Sequence, residues 1–407
     1  MRTTHFVLAL LLAVLPVGSS ASVRRPTARI SRLAHADVSK VLPIQLAKLT
    51  AADSLWGNVG FSVAVSGDAI VVGASFYNEG NTAVYVYVKP ERGWRNMTPT
   101  AELKASDGAA LYSVAMNGNT IVAGSGYEHR KMYLYLRPPT GWKNMTETAI
   151  LTASDARPRD CFGCSLSIDG DTVVAGALRD HQYVGSAYVY VKPPGGWKDM
   201  TETAKLTASD GVSGDDFGYA VGISGGTVVV GAPQISAGYG KGYVFVKPSA
   251  GWTNMTQTAE LTPSNGGSQL YFGSAAVVNR NTVLISEPSG HAAYVFVKPK
   301  AGWQDMHETA ELTDPNASYS FGNSLALQGG IALVGDGNTD ATFVYVEPKS
   351  GWKTTSKSNA TITGSDARYN STLGVSVGMS GKIIVAGAPG AGVGYKHPGA
   401  AYVFTLP

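Results

Sequence analysis

Residues 217–262 read FGYAVGISGGTVVVGAPQISAGYGKGYVFVKPSAGWTNMTQTAELT. The apolar residues recur with a period near two, and glycine-rich breaks interrupt them. This pattern predicts short strands, since successive side chains of a strand point to opposite faces. Gly225-Gly226 is a two-residue hairpin turn, where glycine relieves the steric cost of a positive φ. A Gly-Ala-Pro stop (Gly231, Ala232, Pro233) closes the second strand, and a third is expected over 243–247. A Lys-Pro turn then reaches Gly-Trp at Trp252, and a fourth strand follows.

The rest of the chain repeats this stretch. Seven hairpin turns occur, at Gly67-Asp68, Gly118-Asn119, Gly170-Asp171, Gly225-Gly226, Arg280-Asn281, Gly329-Gly330 and Gly381-Lys382. Their second residues are spaced 51, 52, 55, 55, 49 and 52 apart. Four antiparallel strands per unit and seven units of this length predict an all-β fold, a seven-bladed β-propeller. The seventh repeat ends after its third strand, over 401–405, whereas a lone fourth strand, Ala47-Lys48-Leu49-Thr50, precedes the first repeat. The two ends are therefore expected to share a blade, which closes the ring and removes a free sheet edge.

Phe-Gly opens four repeats, at Phe162, Phe217, Phe272 and Phe321, and Gly-Ala or Gly-Ala-Pro follows at a fixed distance. Both signatures read as packing residues, the ring wedged between blades and the glycine admitting close backbone approach. This pairing resembles the FG-GAP repeat of integrin α-subunit propellers and their secreted bacterial relatives. The resemblance covers residues 45–407 and implies a propeller used for adhesion or recognition outside the cell. Kelch repeats are the runner-up, but their Gly-Gly signature does not recur. Integrin-type repeats often carry a D-x-D-x-D-G calcium loop in the first hairpin. Here those turns hold two residues and at most one carboxylate, Asp68 or Asp171, so no cofactor is expected and the calcium sites do not carry over.

Residues 1–21 read as a secretory signal peptide: Arg2, an apolar run over 6–15, then Ser19-Ser20-Ala21. Residues 22–44 read as a basic linker, and the propeller begins at 45. A secreted or extracytoplasmic location is expected, at a cell surface or in a periplasm. No later stretch is apolar for long enough to cross a membrane as a helix. In an exported chain Cys161 and Cys164 are a local loop disulfide or two idle thiols, because one C-x-x-C is half a zinc site and lacks a redox context. The net charge is +3. Arg24, Arg25, Arg29, Arg32 and Lys40 against Asp37 give residues 22–43 a charge of +4 and leave the propeller near neutral. Near-neutrality argues against nucleic acid as a partner.

No H-E-x-x-H, G-x-S-x-G or P-loop is present, so an enzyme is not expected. The repeats differ most in the loops joining second to third strands. These hold Tyr77, Tyr127, His129, Arg130, Arg179, Asp180, His181, Tyr183, Tyr239, His291, Tyr395 and His397. Aromatic, Arg and His side chains suit recognition of a protein or glycan, combining flat apolar area with directed hydrogen bonds. A non-catalytic binding or adhesion module acting through one propeller face is therefore the leading expectation. The alternatives are a polysaccharide hydrolase using carboxylates near the centre, or a structural envelope or matrix protein. The inter-blade loops recur as Ser-Asp, read as an Asx turn that ends the fourth strand. Asp210, Asp215 and Asp216 share one such loop and are weak metal candidates, short of the ligands calcium asks for. Asn96, Asn144 and Asn254 head Asn-Met-Thr sequons that recur with the repeat.

Overall fold

The computed structural model describes residues 42–51, 58–74, 83–126, 130–233, 240–265, 271–366, 370–392 and 398–407. The expected signal peptide and most of the basic linker lie outside them. Seven antiparallel sheets form the seven blades. The first consists of Val59–Ser66, Ala69–Ala74, Val84–Val88 and Ala101–Leu103. The seventh consists of Ser376–Ser380, Ile383–Ala388, Ala400–Thr405 and, from the other end of the chain, Ile44–Leu49. Ile44 faces Thr405 and Leu49 faces Ala401, so the ring closes as expected.

The two signatures prove to be halves of one contact. In blade 4, Phe217 is fully buried, with its ring centroid 5.4 Å from Tyr243 and 5.9 Å from Phe245. Val189 and Leu206 of blade 3 belong to the same cluster, so the ring does lie between blades. The next residue, Gly218, has φ +90° and turns its carbonyl toward blade 3. Ser165 Oγ donates to that carbonyl at 2.7 Å. Against it lies Gly176 of the blade 3 Gly-Ala, where a Cβ would stand 1.9 Å from Gly218 O. The same abutment joins Gly124 to Gly163, Gly231 to Gly273, Gly335 to Gly374 and, across the closure, Gly387 to Gly60. The Phe-Gly of blades 4 and 5 thus abuts the preceding blade's Gly-Ala, that of blade 3 abuts Gly124-Ser125, and that of blade 6 abuts Ser286 in its place.

A second latch runs around the outside. Asn96, Asn144, Asp199, Asn254 and Asp305 occupy one slot of the repeat, and each accepts, at 2.8 Å, the backbone N–H of a fourth-strand residue in the preceding blade. The methionine after each pairs in parallel with a leucine of that strand, as Met97 does with Leu49. Asn and Asp serve alike because the latch needs only a side-chain oxygen. The Asn-Met-Thr sequons therefore recur with a structural contact.

The hairpin turns and the third-to-fourth-strand turns share one face. Backbone bonds stitch them together, as from Lys89 N to Asp68 O (2.7 Å) and from Lys192 N to Asp171 O (2.9 Å). The second-to-third-strand loops and the inter-blade loops form the opposite face.

Candidate functional site

The recurring Ser-Asp of the inter-blade loops fastens blade to blade, which corrects its reading as mainly an Asx turn. Asp107 does accept Ala109 N at 3.2 Å. Its stronger ties run to the next blade: Tyr133 OH donates to it at 2.8 Å and Lys131 Nζ at 2.7 Å. Asp155 binds Tyr188 and Lys205, Asp210 binds Tyr243 and Lys241, and Asp366 binds Tyr402 and Lys48. Burial alone would raise these carboxyls. The hydrogen bonds from lysine and tyrosine outweigh it and hold all four below the ordinary value. In blade 5, which has Ala292 and Glu311 at the two lysine positions, Asn265 replaces the aspartate and accepts from Tyr294 OH at 3.0 Å. Asp107, Asp155, Asp210 and Asp366 are thus all engaged with side chains of third and fourth strands.

Blade 3 departs from this scheme. After its second strand, Thr172–Ala177, the chain makes a tight loop through Arg179, Asp180, His181, Gln182 and Tyr183. His181, Gln182 and Tyr183 have φ values of 50°, 62° and 69°, three successive left-handed residues without a glycine. Such a run is costly, and surrounding contacts must hold it. Asp180 is completely buried beneath it, accepting from Ser186 Oγ at 2.6 Å, Lys205 Nζ at 2.7 Å and Tyr188 OH at 3.2 Å. Its other oxygen lies 2.6 Å from His181 Nδ1. Burial would raise the Asp180 carboxyl, but the bonds from Lys205 and Ser186 hold it below its ordinary value. Across the seam, the 211–217 segment supports the loop: Gly214 N and Asp216 N both donate to Tyr183 O, and Ser213 Oγ donates to Gln182 O.

The loop presents Tyr183 to solvent at 47% exposure, with the Arg179 guanidinium carbon 5.5 Å from the ring centroid, and exposed Val212 lies on the supporting segment. Arg130 reaches the neighbouring inter-blade loop from blade 2, its guanidinium 3.4 Å from Ala156 O. Beneath Arg179, Cys161 and Cys164 are joined in a disulfide and pack with Leu178 and Tyr219. Of the two readings of this pair, the local loop disulfide is the one the molecule adopts.

Arg179, Asp180, His181, Tyr183 and Arg130 of the expected residues are thus placed around blade 3. His291 stands apart on blade 5, exposed, with φ 56°. Tyr77, Tyr127, His129, Tyr239, Tyr395 and His397 lie outside the described residues. The weak metal candidates do not form one ligand set. Asp210 is bound to Lys241 and Tyr243, and Asp215 accepts Val212 N at 2.7 Å. Asp216 is buried with Oδ1 lacking a hydrogen-bond partner among the described residues. Asp155, Asp180 and His181 do converge, their ligand-type atoms within 4.8 Å of one another. Lys205 Nζ already stands among them, 2.5 Å from Asp155 and 2.7 Å from Asp180, and supplies the cation. The Asp180–His181 pair has the form of a base with its orienting carboxylate. No serine or thiol is bonded to that imidazole among the described residues.

Reading the sequence for variable loops missed Asp155, Lys205 and Tyr188 as parts of this site. Their signal was available, as the fixed offset from Ser-Asp to the third-strand tyrosine, but it shows only once the blades are set side by side.

Asp216 carries a prediction of its own. Burial pushes its carboxyl up to about 7; Arg179 pulls the other way and Asp215 adds to the rise. A carboxyl raised on folding penalises the folded state once ionised, so the penalty grows from about pH 4 and is complete above about pH 7. Asp216→Asn removes the titration and keeps a residue suited to φ 54°. The variant should gain most over the parent at pH 8, and the gap should close as pH falls to about 4, as read by thermal unfolding at both pH values.

A family model described as FG-GAP repeat matches residues 44–87, 145–190, 200–246 and 357–404. Comparison with curated proteins gives no match. Solved structures with a similar chain path include KlHsv2 with loop 6CD replaced by a Gly-Ser linker, 10% identical over 82% of this chain and 90% of that one, with a TM-score of 0.48. Kluyvelomyces marxianus Hsv2 is 11% identical over 80% and 88%, with a TM-score of 0.46.

Proposed function

We infer, for a chain that is a seven-bladed propeller of FG-GAP repeats, that it acts as a non-catalytic binding or adhesion module outside the cytoplasm. The face carrying the blade 3 loop is the binding face, and its partner is an extracellular protein or glycan. One observation carries this reading: three left-handed residues in a row are held over a fully buried aspartate, and they expose a histidine and a tyrosine. Strain of this kind persists where it fixes a side chain for use. A rigid, half-exposed tyrosine beside a guanidinium offers stacking area at little entropic cost, and polar groups at the edge give direction. No helix among the described residues is long and apolar enough to cross a membrane.

The test is a screen of glycans and extracellular proteins with the intact propeller, repeated with Tyr183→Ala and His181→Ala. Both side chains are largely outside the core, so the variants should fold. A ligand whose affinity falls about tenfold or more in Tyr183→Ala supports the site, since a packed aromatic anchor is commonly worth about 2 kcal/mol or more. A ligand bound equally well by both variants would move the site elsewhere.

A further inference from the structure

The near-zero net charge of the propeller conceals a division between its faces. The seven hairpin turns and the six turns 89–95, 137–143, 192–198, 247–253, 298–304 and 347–353 form one face, and together they hold fourteen Lys or Arg against four Asp or Glu. Arg137 pairs with Asp68 and Lys192 with Asp171. The other twelve cations make no ion pair among the described residues. The opposite face is acidic: Asp155, Asp180, Asp210, Asp215, Asp216 and Asp366 all lie in its loops, where lysines from the strands neutralise several of them.

The cations recur because the turn recurs. Lys89, Arg137, Lys192, Lys247 and Lys298 fill one position of the Lys-Pro-x-x-Gly-Trp unit, and Arg95, Lys143, Lys198 and Lys353 follow the tryptophan. Each buried Trp roots its turn, so the charges stand on a rigid frame. They are spread over the turns of successive blades, around a ring. A linear polyanion would meet only those along its track, whereas a plane of anions meets them all. Two exposed apolar residues, Leu42 at 73% and Ile44 at 58%, lie at the rim of this same face, because Ile44 faces Thr405 where the third strand of blade 7 runs out.

We propose that this basic face docks flat on a phospholipid bilayer bearing anionic headgroups, with Leu42 and Ile44 at the contact edge. The opposite face, with the blade 3 loop, then points away from the bilayer and stays open to its own partner. Attraction to such a surface is about 1 kcal/mol for each Lys or Arg close to it and fades within a Debye length. A dozen cations sharing one plane therefore suffice for reversible docking without an inserted helix.

The test is sedimentation of the protein with vesicles of phosphatidylcholine alone and of phosphatidylcholine with about one third phosphatidylglycerol, at about 0.1 M and about 0.5 M salt. The expected result is co-sedimentation with the anionic vesicles only, and release at the higher salt. The quadruple variant Lys89→Glu, Lys143→Glu, Lys198→Glu, Lys247→Glu should lose about 100-fold or more in partitioning while keeping the parent's urea midpoint. These lysines are exposed or at the surface of turns and make no ion pair among the described residues, so folding is spared. Failure to sediment with anionic vesicles at low salt overturns the proposal, as does equal sedimentation of a folded quadruple variant. Retention on immobilised heparin to a higher salt concentration than releases the protein from vesicles would assign the face to a linear polyanion instead, and also overturns it.

Discussion

Gly176→Ala is expected to destabilise the propeller by about 3 kcal/mol or more, although it adds a single methyl group to a strand. The added Cβ would stand 1.9 Å from Gly218 O, 2.2 Å from Ser165 Oγ and 2.8 Å from Gly218 C. Two of those atoms are backbone, so no rotamer change relieves the contact. Gly218 cannot retreat either, because its own φ of +90° and the Ser165 bond fix its carbonyl against blade 3. The seam between blades 3 and 4 would have to open, exposing the Phe217 cluster to water. Gly195→Ala is the control: it lies in a turn with nothing within 4 Å of the added Cβ, and it should cost within about 0.5 kcal/mol. Urea unfolding of the two variants side by side decides the matter. Equal midpoints would mean that the seam tolerates what its geometry forbids, and that the Phe-Gly and Gly-Ala signatures have another cause.

That contact also shows where a repeat sequence is legible and where it is not. Strand count, blade count and closure could be read because they depend on local signals: hairpin glycines, period-two apolar runs, and a fourth strand orphaned at the front of the chain. The partnership of Gly176 with Gly218 could not, since it joins residues 42 apart through backbone proximity alone. The same limit applies to the seam carboxylates. Asp155 looked like a turn former, and only the next blade's Tyr188 and Lys205 show it to be a fastener. At the candidate site the variable loops were the right place to look, and blade 3 gathers Arg179, Asp180, His181 and Tyr183. What distinguishes that loop from its counterparts is its left-handed backbone over a buried acid, and no residue type in the string D-H-Q-Y announces such a conformation. The charge division between faces was hidden for a simpler reason. Net charge sums over a surface, and the basic turns and acidic loops alternate along the chain while lying on opposite sides of the ring.

Lys205→Met should cost about 3 kcal/mol and loosen the blade 3 loop, because Lys205 is the only lysine or arginine among the described residues bonded to both Asp155 and Asp180. Asp180 has no exposure at all, and removing one partner of a buried pair strands the other. Methionine fills much the same volume, so the loss is electrostatic rather than a cavity. The dependence on pH gives the prediction its sign. In the parent, Asp180 is held below its ordinary value, so its contribution is present above the unfolded carboxylate range and lost only as pH falls through the lowered value. Lys205 is held above its ordinary value: burial lowers it, and the bonds from Asp155 and Asp180 more than compensate. Its contribution is present below the unfolded lysine value and lost only as pH rises through the raised one. Between about pH 5 and 9 the parent's pair is therefore constant. In the variant, Asp180 is buried without its ammonium and gains affinity for a proton, so acidification relieves it. The gap between parent and Lys205→Met should be widest near neutrality and narrow toward pH 4. Adding Asp180→Asn to the variant should recover much of the loss at pH 7, since a neutral amide needs no counter-charge. Urea midpoints of the three proteins at pH 4, 5.5 and 7 test this, and a gap that widens on acidification would show that the lysine is not what holds the loop in place.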